Sequence, residues 1–195
     1  MYWLVTSIGI VHFSLLAVTA SMNSLAYLPL ALVAGLSICR LVSGPTDGFL
    51  RAAGGYTWAG MLMVFGLSHA VALVQLPASN HLIDMGNMGW CLFVVLLTEW
   101  NDIAQALIGR QIGKRQIMAS ISPHKTWEGL AGGWLTTSLL AMLLAPPLTT
   151  LGMQLTPLVA SGLAFAAGSL ISISGFLGDL TMSALKRESG VKDSS

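Results

Sequence analysis

Charge is what this sequence has least of. Only 9% of its 195 residues are Asp, Glu, Lys or Arg, against about 25% in an ordinary soluble domain. So little charge cannot clothe a water-facing globule. With 54% hydrophobic residues and a mean hydropathy of +0.75, a soluble fold is excluded. The net charge of +1 says nothing about nucleic acid, but the basic residues form no stripe, and none is expected as a partner, since that calls for rows of cations against phosphates. Cysteine is scarce as well. Cys39 and Cys91 stand singly inside apolar runs, so there is no disulfide framework and no CxxC metal spacing, and both read as small packing residues. The N-terminus lacks the basic n-region of a signal peptide. The chain shows no internal repeat and no low-complexity linker.

What remains is apolar sequence in long runs. A helix needs about 20 apolar residues to cross the hydrocarbon core. Six stretches approach that length, at 2–20, 24–43, 53–76, 85–108, 127–148 and 155–177. Pro77, Pro123, Pro146 and Pro147 punctuate the connections. The sixth stretch is rich in Gly, Ala and Ser, which permit close helix approach in a membrane. The sequence therefore predicts an all-α, polytopic helix bundle in the lipid bilayer, of about six transmembrane helices in a single membrane domain. Within it, residues 1–97 form a membrane-embedded half, and 98–195 a polar, chemically active half with a loop at 109–126.

Basic residues orient the bundle. Arg110, Lys114, Arg115 and Lys125 lie in the 110–125 segment, and Lys186, Arg187 and Lys192 in the tail. Arg40 and Arg51 flank the 44–52 loop and read as topology determinants. The intervening loops near 21–23, 77–84 and 149–154 carry no Lys or Arg. The parity puts both termini and the 109–126 loop in the cytoplasm, and the protein in the inner (plasma) membrane as a multi-pass chain.

Between Met1 and Thr98 only Arg40, Asp47, Arg51 and Asp84 carry formal charge; the rest lies beyond. Three polar clusters reach the cytoplasmic face. These are Thr98 to Asp102, Ser122 to Gly129, and Gly178-Asp179 with the Ser183, Lys186, Arg187, Lys192 and Asp193 that follow. An ionisable group at membrane depth costs several kcal/mol unless paired or facing water, so Glu99, Asp102 and Asp179 need partners that nearby cations can supply. If a helix continues past Asp179, Ser183 follows at i+4 and Lys186 and Arg187 at i+7 and i+8, on one face. Carboxylates beside cations suit a phosphate ligand with a divalent ion. A metal site, a cation pathway and a set of structural ion pairs would all present this pattern. His12 and His69, alone on apolar helices, read as packed, hydrogen-bonded residues, and His81 as solvated. The methionines read as packing or lipid-facing residues, and the tryptophans near span ends as interfacial anchors.

The run Asn101-Asp102, Gly109-Arg110, Gly113-Lys114, then Ser122-Pro123-His124-Lys125-Thr126-Trp127-Glu128-Gly129 resembles the central loop of the phosphatidate cytidylyltransferase (CDP-diacylglycerol synthase) family. Gly178-Asp179, Ser183, Leu185-Lys186-Arg187 and Lys192-Asp193 resemble the opening of its C-terminal pattern. The resemblance covers about residues 98–195. Asn101 stands where many members have Ala or Ser, which marks a divergent subgroup. The family's pattern continues through a His-Gly-Gly segment to an Asp-Arg-x-x-Asp element, which has no counterpart before Ser195.

The resemblance implies transfer of CMP from CTP to phosphatidic acid, giving CDP-diacylglycerol and pyrophosphate, with Mg²⁺ as cofactor and a homodimer as assembly. It carries Asp102, Lys125 and Asp179 over as catalytic residues, with Asp102 and Asp179 on the metal. Lys186 and Arg187 would join Lys125 in holding phosphates. Ser122, Thr126 and Glu128 would order the loop, with Ser183 and Lys192 completing the substrate set. Two alternatives stand beside this reading: an inactive, truncated homologue or partner subunit of a lipid enzyme, and a small ion transporter lined by Glu99, Asp102 and Asp179. Transporters place their sites near the midplane, whereas these acids cluster at the inner face.

Overall fold

The computed structural model describes residues 2–19, 23–43, 48–74, 76, 88–151 and 153–188. Its helices fall where the apolar runs do: α1 (Tyr2–Thr19), α2 (Asn23–Ser43), α3 (Phe49–Gly60), α4 (Leu67–Val74), α5 (Gly89–Ile112), α6 (Trp127–Leu148) and α7 (Pro157–Glu188). A π-helical segment, Met61–Gly66, joins α3 to α4 into one 26-residue rod. That rod, α5, α6 and α7 are each long and apolar enough to cross a membrane, and α1 and α2 carry two shorter apolar stretches. The chain is thus an all-α polytopic membrane bundle. His81, Asp84, Lys192 and Asp193 lie outside the described residues.

The chain divides into two compact units, Met1–Leu76 and Pro77–Ser195. In the first, Leu28, Leu32 and Leu36 recur along one stripe of α2 and bury with Val64 against Val5, Ile8 and Phe13 of α1. Gly60 faces Leu32 so closely that a Cβ would lie 3.0 Å from its Cδ2. His69 Nδ1 lies 2.9 Å from the Phe65 carbonyl one turn earlier. His12 is buried, with its ring edge-on to Phe13; its Nε2 has no hydrogen-bond partner among the described residues.

The second unit is a three-helix bundle closed at one end by a hairpin. Phe93 and Leu97 of α5 pack with Ala141, Ala145 and Leu148 of α6 and Ala164 of α7. Two small-residue contacts let the backbones approach. A Cβ on Gly133 would fall 2.3 Å from Gln105 Cγ, and one on Gly168 would fall 2.8 Å from Ser138 Cα. Polar side chains tie the helices inside. Fully buried Asn101 accepts through Oδ1 from Ser172 Oγ at 2.6 Å, Gln105 Nε2 at 3.0 Å and Thr137 Oγ1 at 3.4 Å. Ser138 and Ser169 join α6 to α7 at 3.0 Å. Large apolar side chains such as Ile103, Leu107, Leu143 and Leu170 are exposed, as a lipid-facing surface requires.

The segment expected as a loop at 109–126 is more ordered than its composition suggested. Helix α5 runs on to Ile112, and Gly113 then turns the chain into extended backbone while donating its N–H to the Gly109 carbonyl. Strands β1 (Gln116–Met118) and β2 (Ser122–Thr126) pair antiparallel, Gln116 with Thr126 and Met118 with Ser122. Helix α7 has 32 residues, about 48 Å at 1.5 Å each. That exceeds a hydrocarbon core of about 30 Å, so its charged end stands clear of the apolar layer.

Candidate active site

Where the hairpin meets the end of α5, the start of α6 and the Phe176–Asp179 stretch of α7, there is a cavity of about 730 Å³. Each wall follows from local sequence. Asp102, Gln105 and Gly109 recur at helical spacing down one face of α5, and Gly113 follows just past its end. Phe176 and Asp179, three residues apart, supply the α7 wall. From the hairpin come Ser122, His124, Lys125 and Thr126, with Arg110 and Lys114 at the rim.

Glycines make this corner compact. A Cβ on Gly113 would fall 2.5 Å from Thr126 Oγ1, and one on Gly129 would fall 2.8 Å from the Gln105 carbonyl. The bare Gly113 backbone thus receives the Thr126 side chain of β2, and the Gly129 backbone of α6 lies directly on the backbone of α5.

Three contacts hold the hairpin. Thr126 caps α6, its Oγ1 accepting from Gly129 N at 3.2 Å, as an N-cap threonine does. Glu128 Oε2 accepts from the amides of Lys114 at 3.1 Å and Arg115 at 3.2 Å, bridging α6 back to the α5–β1 junction. Arg187 Nε donates to the Ile121 carbonyl, fastening α7 to the turn.

The charged centre is the ion pair of Lys125 with Asp179. The Lys125 ammonium also lies 5.0 Å from the centre of the buried Phe176 ring, a cation–π arrangement. Asp102 lies close enough to interact electrostatically with both members of the pair.

The structure therefore gathers Asp102, Ser122, Lys125, Thr126 and Asp179 around one cavity. Glu128 stands outside it as a brace. Ser183, Lys186 and Arg187 lie further along α7 and do not line it, Arg187 being engaged with Ile121. Glu99 is exposed and does not line it either. Gln105 and Phe176 line the cavity without having been singled out in sequence, and His124 lines it as a member of the Ser122 to Gly129 string. Gln105 and Phe176 share helix faces with Asp102 and Asp179, and that spacing was the available signal.

Among the described residues no three His, Cys, Asp or Glu side chains come together as a metal-binding group. Two carboxylates on one cavity nonetheless fit Mg²⁺, which keeps several waters and takes one or two carboxylates plus substrate phosphates.

Fold and site define an integral membrane protein with a mixed-charge cavity at one end of a three-helix unit. A family model described as the cytidylyltransferase family matches residues 1–195, and the chain belongs to that family. It is 41% identical over 170 residues to an uncharacterized protein, YnbB, of Escherichia coli, covering 87% of this chain and 53% of that one. It is 39% identical over 108 residues to a phosphatidate cytidylyltransferase of Haemophilus influenzae, covering 53% of this chain and 35% of the relative. To the phosphatidate cytidylyltransferase of Pseudomonas aeruginosa it is 34% identical over 125 residues, covering 64% and 41%. The chain thus spans between a third and about half of these relatives' lengths. No solved structure matches.

Proposed function

We propose that this chain carries the nucleotide-transfer site of a CTP:phosphatidate cytidylyltransferase. The observation that bears most weight is the Lys125–Asp179 pair beside Asp102 in one cavity. Cations and carboxylates in one pocket at a membrane edge suit a reaction between two phosphate compounds, one soluble and one lipid. A phosphate oxygen of phosphatidic acid attacks the α-phosphorus of CTP. The bond from that phosphorus to the bridging oxygen breaks, and pyrophosphate leaves. Little covalent work falls to the protein; positioning and charge stabilisation dominate.

Lys125, with Arg110 and Lys114 at the rim, would hold phosphate oxygens, and Asp102 and Asp179 would hold Mg²⁺. When bound, Mg²⁺ offsets the charge that builds on the departing pyrophosphate. Ser122 and Thr126 would keep the strand against the phosphates. By the distribution of basic residues, the cavity mouth opens to the cytoplasm, where CTP is available.

Membranes carrying the protein, given radiolabelled CTP and phosphatidic acid, are expected to accumulate labelled lipid, and the Asp179→Asn variant is not. Equal incorporation by both would overturn the assignment.

A further inference from the structure

Inside the cavity the Lys125 ammonium stands between two carboxylates, Asp102 and Asp179, with Arg110 and Lys114 at the rim. Lys125 is only 17% exposed, whereas its partner Asp179 is 52% exposed. The cation is therefore the more enclosed member, held between the carboxylate and the Phe176 ring. Phe176 and Asp179 are three residues apart on α7, so one helix face supplies both halves of this cradle. Asp102, across the cavity on α5, adds the second negative charge. A bare divalent ion arriving here meets a carboxylate already neutralised, and a positive charge that repels it.

We infer that Lys125 occupies the cation position of Asp179 until a nucleoside triphosphate arrives, and then transfers to its phosphates, leaving the carboxylate to the divalent ion that accompanies them. The inference rests on the proposed function and adds an order of binding to it. No bond is made or broken; one ion pair exchanges for two. Phosphate oxygens carry enough negative charge to draw the ammonium off, and the released carboxylate completes the coordination of the incoming metal. Divalent metal alone then binds weakly, and metal and nucleotide each raise the other's affinity by the same factor. The cradle also keeps Asp179 from standing as an unpaired charge at the membrane edge while the site is empty.

The test is titration of the full-length protein with Mn²⁺, followed by electron paramagnetic resonance, with and without a non-hydrolysable α,β-methylene analogue of CTP. In the unmodified protein the analogue is expected to tighten Mn²⁺ binding by about tenfold or more, within the ordinary range of coupling between sites. Lys125→Met, uncharged and of similar length, is expected to bind Mn²⁺ alone about tenfold more tightly than the unmodified protein, with most of that coupling gone. Lys125→Arg keeps a cation and is expected to keep metal alone weak. Should Lys125→Met not fold, Phe176→Leu loosens the cradle and is expected to shift Mn²⁺ binding the same way by less. Equal Mn²⁺ affinity with and without the analogue in the unmodified protein would overturn the inference while leaving the proposed function standing. So would unchanged Mn²⁺ affinity in Lys125→Met. Binding of neither Mn²⁺ nor the analogue would overturn both.

Discussion

Ser172 of α7 donates its hydroxyl to the side-chain oxygen of Asn101 on α5 at 2.6 Å, with both residues fully buried. Asn101 accepts from Thr137 of α6 at the same oxygen, so one amide gathers three helices. Interhelical hydrogen bonds in membranes contribute about 0.6 kcal/mol on average and up to about 1.7 kcal/mol. Ser172→Ala is expected to destabilise by roughly 1 kcal/mol, since Asn101 keeps two partners. Asn101→Leu is expected to cost more, because it removes the acceptor from both hydroxyls. Thermal unfolding in mild detergent checks the order; a larger loss for Ser172→Ala would remove Asn101 from the centre of the network.

Backbone contact sets a second contrast. A Cβ on Gly168 would lie 2.7 Å from Ala141 Cβ, 2.8 Å from Ser138 Cα and 3.0 Å from the Thr137 carbonyl, whereas one on Gly162 meets nothing within 4 Å. Gly168→Ala must push α7 off α6 and is expected to cost about 1–3 kcal/mol, as overpacking usually does. Gly162→Ala on the same helix is expected to leave stability unchanged or slightly raised. Comparison of unfolding midpoints decides it, and equal losses would mean that α6 and α7 are not in this contact.

Glu128 predicts a local effect. Its carboxylate is the acceptor for the Lys114 and Arg115 amides, so Glu128→Ala is expected to speed hydrogen exchange at those two amides and Glu128→Gln to do so less. Exchange within α7 is expected to stay as it was. Unaltered exchange at 114 and 115 in Glu128→Ala would show that the brace does not hold the hairpin.

Asp102 tests the proposed chemistry from the opposite wall. Asp102→Asn keeps the shape and removes the charge, and is expected to lower CTP incorporation by about a hundredfold or more, as loss of a preorganised electrostatic group does. The Asp102→Asn protein is expected to remain membrane-inserted. Near-normal incorporation would leave Asp179 as the sole carboxylate of the site.

Lys125→Ala separates site from topology. Arg110, Lys114 and Arg115 remain on the same segment, and basic residues near span ends set orientation. A reporter fused after position 125 is therefore expected to stay on the cytoplasmic side while lipid labelling from CTP is lost. A change of side would make Lys125 a topology residue.

Much of this architecture could be read in one dimension, because lipid imposes a one-dimensional rule: backbone groups must be satisfied within the segment, so apolar runs become helices. The run read at 127–148 is α6 to the residue, and 2–20 and 24–43 differ from α1 and α2 by a residue at an end. Within the Ser122 to Gly129 string the α6 cap is local, Thr126 accepting from the Gly129 amide, whereas Glu128 reaches back to the Lys114 and Arg115 amides. Other features depended on contacts between residues far apart in the chain. That the segment after Gly113 folds as a hairpin depends on Thr126 of β2 seating against bare glycine backbone of α5 and α6, a fit between residues up to seventeen positions apart. Helical spacing placed Asp179, Ser183, Lys186 and Arg187 on one face, yet only Asp179 lines the cavity, because the hairpin covers that end and Arg187 reaches the Ile121 carbonyl instead. Sequence alone supplied the apolar segments, the orienting charges and the chemically able residues, all of which follow from composition and local spacing. Which carboxylate meets which cation, and that Asn101 would be a buried knot rather than a neighbour of the site, was decided by tertiary packing, since a pair such as Lys125 and Asp179 exists only once separate helices and a strand have closed on one another.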